Sequence, residues 1–442
     1  MGRWGMHLDR TQTWWAFAKP WFAYQTRCQY LLQAGTFCAD VLFFAGEAAP
    51  NQGGNTDGGS AVAAFFTLPD GYASDICPTD AMYRLKVEDG CVVVPGGVRY
   101  RVLALPPMEA VSPEMVVCVT KLRDAGATVV WPKKPVRAPG LKWGRDGDRQ
   151  VRLLADELWA RGIFEGSPVE ALSELGVAPD VAVVSNEAKN VDRLRWLHRR
   201  NAEADWYFVA SPRETPCRVD VSFRVAGRVP ELWNPETGEV TKGVPYAAKD
   251  GVTTVRIPFE PCASWFVVFR APETSAPPSA LPPAPAFDEL TPLKVACGAT
   301  EVTRRDVTGP WTLAFPVDWF VGGLAVKTLE LSALADWTTF DDPDLKFFSG
   351  TATYRKTLAV TPPAAGTRLF LDLGDVKHFA DVTVNGRACP TLWKPPFRVD
   401  VTDAAASGRL ELVVRVTNLW PNRLIGDDFK PEDCTFDSAA PL

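Results

Sequence analysis

Apolar positions recur at steps of three and four near the start of the chain: Trp14, Phe17, Trp21, Tyr24, Cys28 and Leu31. That period predicts an amphipathic helix. Pro20 should kink or restart it, because proline has no backbone N–H to give, and Gly35 is placed to stop it. The next run, CADVLFF at residues 38–44, is apolar almost without break. A strand apolar on both faces belongs in a parallel sheet covered by helices. Residues 13–44 therefore read as one helix–strand step of a (β/α) architecture. A second α/β region follows, with a strand at 100–105, a helix at 112–125 and a strand at 127–131. A helix near 149–161 and a strand at 181–184 extend it. Ser112 as cap, Pro113 in the first turn and Gly126 past the end frame the helix at 112–125.

Beyond residue 205 the period changes to two. WYFVA, RVDVSFRV, VTTVRIPF and SWFVVFR, with the turn WNPETGEV, predict a small antiparallel β-sandwich. Residues 271–286 are dense in proline and read as a stiff extended linker. Seven alternating runs then carry the chain towards its end, and Asn385-Gly386 after Val384 marks a tight hairpin. This last region reads as a β-sandwich of jelly-roll type. GGNTDGGS at residues 53–60 reads as a surface loop or insertion.

With 442 residues the chain is too long for one core and calls for about three domains. Its 47 basic and 53 acidic side chains leave a net charge of −6 without a basic tract, which argues against nucleic-acid binding. No apolar run approaches the roughly 20 residues that span a bilayer, and MGRWGMHLDRTQTWW is not a secretory signal. Ten Cys are scattered from Cys28 to Cys434 without a C-x-x-C pair, so they read as buried thiols, not a metal or disulfide frame.

Only three His exist, His7, His198 and His378, and no G-x-S-x-G accompanies them, so a serine triad finds no support. His198, among Arg195, Arg199 and Arg200, is expected at the surface; His378 opens a strand and is expected to pack. The turn LPPMEAVS has no glycine to let a phosphate approach, so a nucleotide site is not read there. Carboxylate chemistry is easier to build, since glycoside hydrolysis needs two acids flanking the bond. Glu47 follows the apolar strand by three residues, at the strand end that faces substrate in parallel (β/α) folds. The same position equally suits a residue that solvates a loop or caps the next element. Asp40, inside the apolar run, reads as a structural anchor that must be paired. His7, Asp9 and Arg10, followed by Trp14 and Trp15, offer the forks and rings that recognise sugars. Asp9 or Thr13 equally suits a cap for the helix, with the Trp pair in the core. The turns at 393–397 and 418–423 read as loops docked on a neighbouring domain or as a carbohydrate surface.

The segments HLDRTQTWW, RCQYLLQAGTFCADVLFFAGEAAP, ELWNPETGE, FSGTATYRKT, LDLGDVKHFADVTVNGR, LWKPPFRVDVT and VTNLWPNRLIGDD together resemble glycoside hydrolase family 106, the α-L-rhamnosidases. The resemblance covers the C-terminal part of the family's pattern. It implies a multidomain α/β plus all-β chain divided as follows: 1–90, the incomplete end of a (β/α)8 barrel; 91–190, a flavodoxin-like α/β domain; 191–271, a small β-sandwich; 272–287, a Pro-rich linker; 288–442, a galactose-binding-like jelly roll. The resemblance implies that the chain is a truncated gene model or fragment, with the catalytic acids upstream. It implies a secreted or periplasmic enzyme cleaving terminal α-L-rhamnosides from plant-type polysaccharide, with no nucleic-acid or membrane partner. Glu47 matches a barrel-end motif as the catalytic candidate, and His7, Asp9, Arg10 and Trp14 stand as substrate-binding candidates. Calcium is implied by the family, although no complete site is legible. A non-catalytic carbohydrate-binding or scaffolding protein and a β-galactosidase-like hydrolase are the alternatives.

Overall fold

The apolar run at 38–44 divides its neighbourhood between two sheets. Thr36–Phe37 pairs antiparallel with Arg195–Arg200, whereas Val41–Phe44 enters a parallel sheet with all four residues buried. The computed structural model describes residues 8–47, 67–184, 194–272, 302–316 and 327–429. His7, the glycine-rich stretch at 53–60 and the Pro-rich linker 272–287 beyond its first residue lie outside the described residues.

The parallel sheet runs in the order Ser74–Cys77, Val41–Phe44, Val102–Ala104, Thr128–Val130. Leu42, Phe44, Leu103 and Val129 pack beneath the helices Pro113–Asp124 and Gly144–Ala160. Val41, Phe43, Val102 and Val130 pack against Ala171 and Leu172 of the helix Pro168–Glu174 on the other side. Burial on both faces explains why the run carries no polar alternation.

Three expectations need correction here. Val41–Phe44 is a central strand, yet not the closing stave of a cylinder. Among the described residues the sheet is open, and its order, second–first–third–fourth, is that of a doubly wound sheet. It also crosses the division expected at residue 90, because Val41–Phe44 bonds directly to Val102–Ala104. The strand Val181–Val183, expected to extend this α/β unit, pairs antiparallel with Cys217–Phe223 instead.

The first helix is Lys19–Gln33, with Pro20 in its opening turn, where a missing N–H costs nothing. It does not cover the parallel sheet. Tyr24, Cys28 and Leu31 pack on Trp206, Phe266 and Val268 of the adjacent sandwich. Arg199 donates to the carbonyls of Gln33, Ala34 and Gly35, satisfying the end of the helix. Gly35 has φ +63°, and a Cβ there would stand 2.4 Å from the Arg200 carbonyl oxygen, so glycine is required twice over.

That sandwich pairs a six-stranded antiparallel sheet with a four-stranded one. Cys217–Phe223 and Val252–Phe259 alternate buried and half-buried positions, and Val219, Val221, Val255 and Ile257 meet Tyr207, Val267 and Phe269 between the sheets. The terminal region holds a second six-stranded antiparallel sheet, which shares one core with Phe370–Asp372 and Arg398–Asp400. The hairpin signal is met: Asn385 and Gly386 have φ +50° and +76° between Phe379–Val384 and Arg387–Ala388.

Candidate functional site

Glu47 stands at the carboxyl end of the parallel sheet, just past Gly46, where the strand order reverses between Val41–Phe44 and Val102–Ala104. Open α/β sheets form their crevice at such a point. In this chain the crevice is bridged from within. Glu47 Oε2 accepts from the Ser112 backbone N–H at 2.6 Å and Oε1 from the Ser112 hydroxyl at 2.7 Å. Ser112 Oγ in turn accepts from the Met115 N–H at 3.2 Å, capping the helix Pro113–Asp124. A carboxylate at a helix N-terminus is electrostatically stabilised by the unpaired N–H groups there. Both oxygens are thus committed to holding that helix.

The sugar-binding candidates sit in a different unit. The Asp9 carboxylate accepts from the Thr11 N–H at 2.8 Å, and both Asp9 and Arg10 are exposed. Trp14 is only 3% exposed. It lies between Phe379 and Trp21, so it has no free face to offer a sugar ring; as a substrate-binding residue it is corrected to a packing one. The Thr13 hydroxyl donates to the Asn418 carbonyl, and Trp420 Nε1 donates to the Thr11 carbonyl at 2.9 Å. The turn at 393–397 docks likewise. Lys394 reaches the Pro261 carbonyl at 3.1 Å and the Glu236 carboxylate at 2.9 Å, and the Trp393 ring lies 5.4 Å from that of Tyr24. Both aromatic turns therefore join units of this chain.

His198 corrects a second expectation, for it is 2% exposed. Its Nδ1 lies 2.8 Å from Asp180 and its Nε2 3.0 Å from Asp205, while its ring stacks on Tyr207 at 3.9 Å. Burial alone would lower its pKa, but the two carboxylates outweigh it and push it up to about 10. Burial likewise pushes Asp180 up, and the bonds from His198 and Tyr207 with the charge of Arg224 hold it below the usual range instead. Arg224 also bonds Asp40 at 2.7 Å, so Asp40 ties the parallel sheet to the sandwich. The network is structural, and the Arg-rich segment hid it because its acids come from elsewhere in the chain.

A cleft of about 1510 Å³ lies in the terminal sandwich, lined by Trp311, Trp337, Tyr354, Phe370, Asp336 and His378 among others. His378 is exposed, and partial burial with the nearby Lys377 lowers its pKa. No sequence motif marks this cleft, because its walls come from separated strands and loops.

Among the described residues no group of three or more His, Cys, Asp or Glu could hold a metal ion, so the calcium implied by resemblance finds no ligand set there. No helix of the described residues is long and apolar enough to cross a membrane.

A rhamnosidase structure from Novosphingobium sp. PP1Y matches with TM-score 0.77 at 30% identity, covering 99% of this chain and 41% of that one. A curated protein of Formosa agariphila named putative beta-glucuronidase is 24% identical over 97% of this chain and 53% of its own length. The chain thus spans about half or less of these relatives. The α-L-rhamnosidase family model of glycoside hydrolase family 106 matches residues 1–248. With more than half of its length so matched, the chain belongs to glycoside hydrolase family 106, the α-L-rhamnosidases.

Proposed function

We propose that this chain is the C-terminal part of an α-L-rhamnosidase that removes terminal rhamnose from a plant-type polysaccharide, with its catalytic acid and base upstream of residue 1. Such cleavage needs one carboxylic acid to protonate the leaving oxygen and one carboxylate to act on water or on the sugar itself. The observation that carries the reading is the commitment of Glu47: the carboxylate best placed at a strand end is bound through both oxygens to Ser112. On this reading Glu47 is a positioning residue, and Asp9 and Arg10 lie near the rim of the sugar pocket in the longer enzyme. The segment that carries them leads out of a (β/α) barrel, and the terminal unit is a galactose-binding-like jelly roll. On this reading the longer enzyme meets its plant-type polysaccharide outside the cell or in the periplasm.

Hydrolysis of an aryl α-L-rhamnoside tests this. The purified chain should give no turnover, and a polypeptide extended upstream should give turnover with the rhamnoside in preference to aryl β-galactoside or β-glucuronide. Robust turnover by residues 1–442, lost in Glu47→Gln, would overturn the proposal and make Glu47 the catalyst.

A further inference from the structure

We propose that the cleft of the terminal sandwich is a second saccharide-binding site, taking a neutral oligosaccharide through the Tyr354 hydroxyl and the Asp336 carboxylate against an apolar wall. Tyr354 is 8% exposed and lines the cleft, and its hydroxyl has no hydrogen-bond partner among the described residues. Trp337, 5% exposed, lines the same cleft, and its indole N–H is likewise without a partner among them. A buried donor left unpaired is costly unless a ligand or water completes it; the Trp337 N–H is such a donor, and Tyr354 lines the same concavity. Burial, with the nearby charge of Asp336, pushes the Tyr354 phenol up to about 12, so it stays a donor at neutral pH.

Charge decides the class of ligand. The cleft carries cations and anions together, and four of its five cations are already partnered: Arg304 by Asp306, Lys377 by Asp375, Arg368 by Asp400 and Arg398 by Glu260. A polyanion would have to break these pairs, whereas a hydroxyl-rich neutral chain needs only the phenol and the Asp336 carboxylate. Trp311, Val414 and Val416 supply the apolar wall for its C–H faces.

The choice of rhamnose as the sugar rests on the proposed function; the site itself does not. Titration calorimetry of the full chain with L-rhamnose, a neutral rhamnose-containing oligosaccharide and polygalacturonate tests it. The neutral oligosaccharide should bind saturably, and Tyr354→Phe and Asp336→Asn should each weaken binding about five-fold or more with the circular dichroism unchanged. No saturable heat at millimolar ligand, binding indifferent to both variants, or preference for polygalacturonate would each overturn the proposal. Hydrolysis is scored on the upstream-extended polypeptide and binding on this chain, so failure of one is told apart from failure of the other.

Discussion

Trp14 lies flat on Phe379, with ring centroids 5.6 Å apart and planes 2° from parallel. The contact joins the segment before the first helix to the terminal sandwich, and Ala18, Trp21, Trp393 and Leu419 complete its apolar surround. The same first helix packs its other residues on the middle sandwich. One short stretch of chain therefore ties two β units together, and it does so by burying aromatic surface.

Trp14→Ala should cost about 3 kcal/mol, the usual scale for truncating a buried large aromatic. Urea denaturation checks this. A double-mutant cycle with Phe379→Ala should return a coupling of about 1 kcal/mol, since the rings share one contact. A coupling near zero would mean that the stacked pair does not anchor the segment.

Glu47→Ala should cost about 1–2 kcal/mol, because it strips the Ser112 N–H and hydroxyl of their acceptors at a helix start. Glu47→Gln should cost less, its amide oxygen still accepting one bond. Thermal denaturation of the three proteins checks the order. In the upstream-extended enzyme, activity of Glu47→Gln should stay within about ten-fold of the parent; a loss of many orders of magnitude with stability intact would assign it the chemistry instead.

The Asp180–His198–Asp205 cluster predicts a dependence on alkaline pH. His198 rises from an ordinary 6.5 to about 10 on folding, so the folded state holds its proton more tightly. Its contribution is complete below about 6.5, declines as pH rises, and is gone once pH passes about 10. Urea midpoints at pH 7 and pH 10 should converge for His198→Gln more than for the parent. An equal fall in both would show that other groups govern the alkaline limb. Asp180 and Asp205 are held low by the same cluster, so their contribution is lost at acid pH, as pH falls through their folded values.

At the hairpin, Asn385 Oδ1 accepts from the Glu411 N–H at 2.7 Å and Nδ2 donates to the Arg409 carbonyl at 3.0 Å, with φ at +50°. Asn385→Ala should lower stability by about 1–2 kcal/mol through lost bonds and left-handed backbone strain. Asn385→Gly relieves the strain but not the bonds, so it should fall between. Thermal denaturation that ranks glycine below alanine would contradict this account.

The residues explain why some features were legible and others were not. The helix Pro113–Asp124 appeared where Ser112, Pro113 and Gly126 placed it, because capping is settled within a turn of chain. Glu47 was legible as a strand-end carboxylate, but its partner Ser112 was not, since nothing local pairs them. His198 looked like a surface residue in an Arg-rich run; alternation along Arg195–Arg200 turns it inward towards acids from two other segments.

The amino-acid sequence alone determined the strands of the terminal sandwich, the two-sided burial of Val41–Phe44 and the family, because periodicity, caps and ordered motifs are properties of neighbouring residues. Which sheet the first helix covers, whether Val41–Phe44 closes a barrel or centres an open sheet, and where the carboxylate of Glu47 points were decided only by the tertiary structure. An apolar stripe or a strand-end acid is the same string of letters whatever it meets, and its partner is chosen by packing and charge between segments far apart in the chain.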